Sequence, residues 1–226
     1  MQDLKFGGTG VANAENISKV IAIVQQALQR SKTIVVVSAL GGTTDSLLQS
    51  GSLAAGGDEK YKEILQALEQ RHLEAVKTLI PVTRQSSVLS WVKQRCNEIE
   101  DICNGVFLLG ELSARTKDRI VSYGELLSSR IISDSLNASG IENAWVDSRD
   151  IIRTDSHFGH AAVDFVQTNK LCSDYFTATD KPLFIVPGFI ARDSNGNGTT
   201  LGRGGSDYTA AIISPAVNAG SLGIWR

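Results

Sequence analysis

The segment Leu201-Gly202-Arg203-Gly204-Gly205-Ser206-Asp207 sets three glycines around one arginine and then adds a hydroxyl and a carboxylate. Glycine lets a backbone approach a ligand closely, but it costs conformational entropy on folding, so packing alone gives little reason for Gly-Arg-Gly-Gly. A guanidinium in such a loop can fork onto a carboxylate or a phosphate. Ser206 reads as the N-cap of a helix that continues through the run Thr209 to Ile213. The donor end of a helix is an anion site. Two further strand-to-helix turns carry related chemistry. In Leu4-Lys5-Phe6-Gly7-Gly8-Thr9-Gly10 a short strand breaks into glycines. The Lys5 ammonium can there reach a phosphate cradled by the N–H groups of Gly7, Gly8 and Thr9. In Ile34 to Asp45 a β-branched run ends at Ser38, turns through Gly41-Gly42, and caps a helix with Thr43 or Thr44. Neither G-x-x-x-x-G-K-[ST] nor G-x-G-x-x-G is present, since the lysine precedes its glycines. Singly, these residues have plainer readings: Lys5 solvated on an edge strand, Ser38 and Thr44 as caps, Glu125 facing water on an amphipathic helix.

The elements that must position these groups alternate between strand and helix signals, which predicts an α/β fold with a mainly parallel sheet. Strands are expected near 2–6, 33–38, 143–147, 183–187 and 221–225. After Gly7-Gly8 a helix presents Ile17, Val20, Ile21, Val24, Ala27 and Leu28 on one face. From about 58 to 135 the pattern is helical, broken at Pro81, with Gly51 to Asp58 as a small-residue loop leading into it. His72 reads as an exposed helix position. Asp193 to Gly198 reads as a hairpin tip, and His157 and His160 as a solvated loop that could cover a site. Trp91, Trp145 and Trp225 read as core or interface anchors.

The whole chain has 226 residues, 42% hydrophobic and 20% charged, with a net charge of −2. That is one ordinary globular domain with no polyanion-binding surface, which argues against nucleic acid as a partner. No run approaches the roughly 18 apolar residues of a membrane span, and nothing after Met1 resembles a signal segment. Cys96, Cys103 and Cys172 are an odd number without zinc spacing, expected to be reduced and buried in a cytoplasmic protein.

Lys5-Phe6-Gly7-Gly8-Thr9, Val36-Val37-Ser38-Ala39, Gly124-Glu125-Leu126 and Leu201 to Ala211 occur in the order of the motif set of aspartate kinases. The chain resembles that family from Lys5 to its end. One departure is Gly10, where the family usually has Ser, which removes a hydroxyl near the phosphates. The resemblance implies a three-layer αβα sandwich of the amino acid kinase type over 1–226, with the helical stretch as an insertion. The chain ends in a strand, Gly223-Ile224-Trp225-Arg226. This is read as a catalytic domain truncated on its C-terminal side, with an incomplete nucleotide lobe and weak activity on its own. Some members of the family also carry a homoserine dehydrogenase module.

By the resemblance, ATP phosphorylates the side-chain carboxylate of L-aspartate, giving 4-phospho-L-aspartate, an early intermediate of lysine, threonine and methionine biosynthesis. Lys5 and Asp207 are catalytic, Lys5 neutralising the phosphates in the transition state and Asp207 organising either Lys5 or the metal environment. Lys5, Gly7, Gly8, Thr9, Gly205 and Ser206 hold the phosphates. Ser38, Thr44, Glu125, Arg203 and Ser206 bind aspartate, with Glu125 on its ammonium group. Mg²⁺ is expected to ride on ATP oxygens, with no metal-binding residue assigned in the protein, and the full-length protein to be a homo-oligomer. The alternatives are a non-catalytic aspartate-binding subunit and another amino acid kinase of the same superfamily.

Overall fold

The computed structural model describes residues 1–225; Arg226 lies outside them. Five strands form the main sheet: β1 (Gln2–Phe6), β2 (Thr33–Val37), β3 (Ala144–Trp145), β5 (Leu183–Pro187) and β8 (Ser221–Trp225). Their order is β3-β5-β2-β1-β8 and every pairing is parallel. A parallel sheet is covered on both faces, which is why β2 and β5 read as unbroken apolar runs and are buried throughout. The strand expected at 143–147 is reduced to two residues. β1 lies between β2 and β8, so Lys5 sits on an interior strand and is buried, contrary to the edge position its residue type suggested. A second, small sheet was not legible in the sequence. It orders β4 (Arg153–Thr154), β6 (Ile190–Asp193) and β7 (Gly198–Thr200) as β4-β6-β7. The turn between β6 and β7 is the expected hairpin at Asp193 to Gly198.

Eight helices surround the sheets among the described residues: α1 (Ala14–Leu28), α2 (Thr43–Ala55), α3 (Tyr61–Leu79), α4 (Gln85–Leu109), α5 (Ala114–Ala138), α6 (Ser148–Ile151), α7 (Phe165–Ala178) and α8 (Gly205–Ala216). On one sheet face Leu4, Phe6, Val35, Val37 and Ile185 pack under α1 and the C-terminal half of α5, through Ile17, Val20, Val24, Ile132 and Leu136. On the other, Ile34, Val36, Phe184 and Val186 meet α7 and α8 through Cys172, Phe176, Ala210 and Ile213. These are the three layers of the expected sandwich. A separate apolar cluster joins α2, α3, α4 and the N-terminal half of α5, through Leu47, Leu65, Val76, Val92, Ile99 and Leu127.

The stretch expected as a loop at Gly51 to Asp58 is helical as far as Ala55, because Gly51 faces Leu112 and Ile120 and lets them approach. His72 is fully buried rather than exposed, because Tyr61, Leu65, Leu68, His72 and Val76 share one stripe of α3. Its Nδ1 lies 2.7 Å from the Leu68 carbonyl oxygen, and burial pushes the imidazole down to about 4. The three cysteines are free and buried, as expected, and burial raises each thiol. Trp91 and Trp145 meet edge-to-face at 6.4 Å with the Arg130 guanidinium over both rings, and Trp225 stacks on Phe6 at 5.2 Å.

Candidate active site

The carboxyl ends of β1, β2 and β5 open onto one cavity of about 620 Å³. In open α/β sheets this is where ligands bind, because loops leave the strands there and helices begin. The loops remain tied to the sheet just beyond the strands. Gly7 N–H donates to the Trp225 carbonyl (2.8 Å), Ser38 N–H to that of Phe6 (3.1 Å) and Gly188 N–H to that of Val37 (2.9 Å).

Two helices, α2 and α8, point their N-termini at the cavity. Neither is capped as the sequence suggested. Gly42 (φ 77°) and Gly204 (φ 74°) are the N-caps, and neither helix has a side-chain cap, whereas α1, α5 and α7 are capped by Asn13, Ser113 and Asp164. Both glycines are left-handed, a conformation that costs other residues. Thr43 and Thr44 open α2, and Ser206 is the second residue of α8. No side chain takes the donor ends of these helices; the first N–H of each turns back instead, Thr43 to the Leu40 carbonyl (2.9 Å) and Gly205 to that of Gly202 (3.0 Å), and the N–H groups that follow face the region where helix N-termini favour anions.

Lys5 and Asp207 meet across the floor of the cavity, Nζ to Oδ1 2.6 Å, with the lysine side chain 6% exposed and the aspartate 34%. Lys5 follows Asp3 on the face of β1 that α8 covers. Asp207 lies in the first turn of α8, so packing of that helix on the sheet makes the pair. The close contact at Gly188 sets the distance: a Cβ there would lie 2.6 Å from Ser206 Cβ and 2.8 Å from its Cα. The next residue, Phe189, lines the cavity with φ 69°, a left-handed conformation that costs a bulky residue about 1–3 kcal/mol. Its N–H donates to Thr209 Oγ1 (2.9 Å), which holds it there.

Glu125 lies opposite on α5. It is 4% exposed, its Oε1 accepts from the Ala39 N–H at 3.3 Å, and its Oε2 is buried with no hydrogen-bond partner. Burial pushes the carboxyl up to about 8, against the smaller lowering effects of backbone donors and of Lys5. The helix sits this close because the preceding residue is glycine: a Cβ on Gly124 would lie 2.9 Å from Ala39 Cβ. Ser128, one turn on, donates to the Ser38 carbonyl (2.7 Å) and fixes the same loop.

Of the residues expected from sequence, Lys5, Gly8, Ser38, Thr44, Glu125, Arg203, Gly205, Ser206 and Asp207 line this one cavity, while Gly7 is buried beside it and Thr9 is exposed beyond it. Arg203 is exposed at the rim. The structure adds Asp45, Lys117, Asp118, Phe158, Gly159, Phe189 and Thr200. Lys117 and Asp118 lie on the same helix as Glu125 at near-helical spacing, which is the signal that could have found them. Phe158 and Gly159 come from the expected covering loop, whose His157 pairs with Asp155 in solvent (2.8 Å). Among the described residues no group of three His, Cys, Asp or Glu side chains could hold a metal ion by itself. No helix among them is long and apolar enough to cross a membrane.

Residues 4–226 match the model of the amino acid kinase family. Lysine-sensitive aspartokinase 3 of Escherichia coli is 31% identical over 98% of this chain, which covers 47% of that protein. The chloroplastic bifunctional aspartokinase/homoserine dehydrogenase 1 of Arabidopsis thaliana is 32% identical over 98% of this chain, which covers 24% of it. The crystal structure of E. coli aspartokinase III in complex with aspartate and ADP superposes with a TM-score of 0.90 at 30% identity, over all of this chain and 48% of that one. The chain thus spans between a quarter and a half of the length of these relatives. Its parallel sheet, its glycine-capped helix starts at the cavity and its match over nearly every residue make it a member of the amino acid kinase family.

Proposed function

We propose that this chain transfers the γ-phosphoryl group of ATP to the side-chain carboxylate of L-aspartate, giving 4-phospho-L-aspartate. The observation that carries the reading is Glu125. A buried carboxylate with one unpartnered oxygen, in the same cavity as a lysine and two helix N-termini, suits a small molecule that brings an ammonium at one end and an anion at the other. The E. coli relative that shares the fold binds aspartate and ADP.

The nucleophile needs no general base, because a side-chain carboxylate of pKa about 3.9 is ionised at neutral pH. The obstacle is repulsion between two anions, so catalysis rests on positioning and charge neutralisation. Glu125 takes the substrate ammonium. Ser38 and Thr44 offer hydroxyls at the C-terminal end of β2 and the start of α2. Arg203 forks onto a substrate carboxylate from the rim. Lys5, held by Asp207, meets the charge that grows on the transferred phosphoryl group; Gly8, Thr9 and Ser206 supply backbone donors, while Gly7 and Gly205, whose N–H groups are taken by the carbonyls of Trp225 and Gly202, shape the two phosphate loops. Mg²⁺ would be carried mainly by phosphate oxygens and would neutralise their charge, and Asp207 would help to organise its surroundings. At Gly41 a Cβ would lie 3.2 Å from Ala12 Cβ, so glycine there lets the β2–α2 loop pack on the segment that precedes α1. Three buried, reduced thiols suit a cytoplasmic setting. A homo-oligomer is proposed for the full-length protein.

The test is hydroxylamine trapping of an acyl phosphate from Mg·ATP with L-aspartate or L-glutamate, with the E. coli enzyme as positive control. Hydroxamate from aspartate alone supports the reading. A preference for glutamate moves the chain to another branch of the family. Aspartate binding without hydroxamate supports substrate binding but not transfer by this chain alone, which spans 47% of the E. coli enzyme.

A further inference from the structure

Asp118 has no part in the scheme above, yet it is 2% exposed and lines the cavity. Its Oδ2 accepts from the N–H groups of Gly159 and Thr200, each at 2.9 Å, and its Oδ1 from the Thr200 hydroxyl at 2.9 Å. No ion pair to it is formed among the described residues, so three neutral donors hold a buried carboxylate. Such a group is costly unless every bond is made. The two segments it grips are also joined to each other. Ala161 N–H donates to the Thr200 carbonyl (2.9 Å). His160 packs so tightly on the backbone of Gly202 that a Cβ there would lie 2.3 Å from Nδ1. Residues 158–161 and 200–203 therefore form one roof over the cavity, bringing Phe158 and Arg203 to it. Asp118 stands seven residues before Glu125 on α5, two turns down the same face.

We propose that Asp118 is a positioning residue that locks this roof to the helix carrying Glu125, so that the groups receiving the two ends of the amino acid are held on one frame. Its consequence for aspartate rests on the function proposed above; the clamp itself does not.

Three variants test it. Asp118→Ala removes both acceptor oxygens and with them all three bonds. Asp118→Asn keeps the shape: its carbonyl accepts both backbone N–H groups, and its amide donates to the Thr200 oxygen once that hydroxyl rotates. Thr200→Val removes only the hydroxyl bond and serves if the alanine variant does not fold. Hydrogen exchange on the ligand-free protein is read over 156–161 and 200–205, and dissociation constants are measured for L-aspartate and for Mg·ADP. Asp118→Ala is expected to speed exchange in both segments while the rest of α5 is unchanged. It should weaken aspartate about tenfold or more and Mg·ADP by less than about twofold, on the scale of one lost buried hydrogen-bond set. Asn should restore both readouts, and Thr200→Val should fall between. Unchanged exchange in Asp118→Ala (or in Thr200→Val, if that variant stands in for it) overturns the clamp, as does equal weakening of the two ligands. An Asn variant that behaves like Ala overturns it too, since charge rather than geometry would then be at work. If the wild-type protein does not bind aspartate, the proposed function falls while the exchange data still decide the clamp.

Discussion

Glu125→Gln tests the site through the proton that Glu125 holds. With its carboxyl pushed up to about 8 by burial, the empty site at pH 7 is about nine-tenths protonated there. An arriving substrate ammonium needs the carboxylate, so binding must expel about 0.9 proton at pH 7 and almost none well above pH 8. Ionising the group at pH 7 costs about 1.4 kcal/mol, one unit of pKa. The wild-type dissociation constant for L-aspartate should then fall nearly tenfold from pH 6 to pH 7 and level off above pH 8. Truncating one partner of a buried charge pair costs about 2–5 kcal/mol. The glutamine variant escapes the ionisation cost, so its net loss at pH 7 is about 2 kcal/mol, or roughly thirtyfold in affinity. It should show no pH slope, and Mg·ADP binding should be untouched. Isothermal titration in two buffers of different ionisation enthalpy counts the protons directly. A wild-type protein that releases no proton at pH 7, or a glutamine variant that keeps the slope, refutes the pairing of Glu125 with the ammonium.

Arg203→Lys keeps the charge but loses the fork; because Arg203 is exposed, its melting temperature should stay within about 2 °C of wild type while aspartate affinity drops about tenfold. Gly188→Ala drives a Cβ into the backbone of α8 at Ser206, so it should cost about 2 kcal/mol and lower the melting temperature by about 4–8 °C, with phosphate-site affinity lost alongside; a wild-type melt and wild-type Mg·ADP binding would contradict the close contact. Asp3 is fully buried, neither of its carboxylate oxygens makes a well-formed hydrogen bond, and burial raises it to about 8 against a smaller lowering effect of the Leu4 N–H. The folded state therefore holds a proton that the unfolded state gives up near pH 4. This term lowers stability by about 1.4 kcal/mol per unit as pH rises from 4 to 8, and Asp3→Asn should remove that slope from urea titrations across the window.

Much of the site was legible because the chemistry sits in turns. Lys5 and Ser38 stand at strand ends within three residues of a Gly-Gly turn, and Arg203 stands among glycines just before a helix. Strand order and the chain's own continuity then bring them to one rim. Local signals misled where a tertiary contact overrode a residue's usual behaviour. His72 and Glu125 are polar types that a helix normally shows to water, yet α3 and α5 are enclosed by other helices and carry both inward. Ser206 and Thr43 are common caps, but the positive φ of Gly204 and Gly42 starts each helix one residue or more away. The small sheet of β4, β6 and β7 escaped notice because strands of two to four residues leave no period to read.

The sequence by itself determined the parallel sheet, the three glycine turns and the identity of the cations and carboxylates available, since these follow from residue type and local spacing. Only the tertiary structure decided that Lys5 meets Asp207, that Glu125 is buried with one oxygen unpartnered, and that Asp118 ties the roof to α5. Those facts depend on how closely helices approach the sheet and one another. That distance is set by contacts between residues far apart in the chain, such as Gly188 with Ser206 and Gly124 with Ala39.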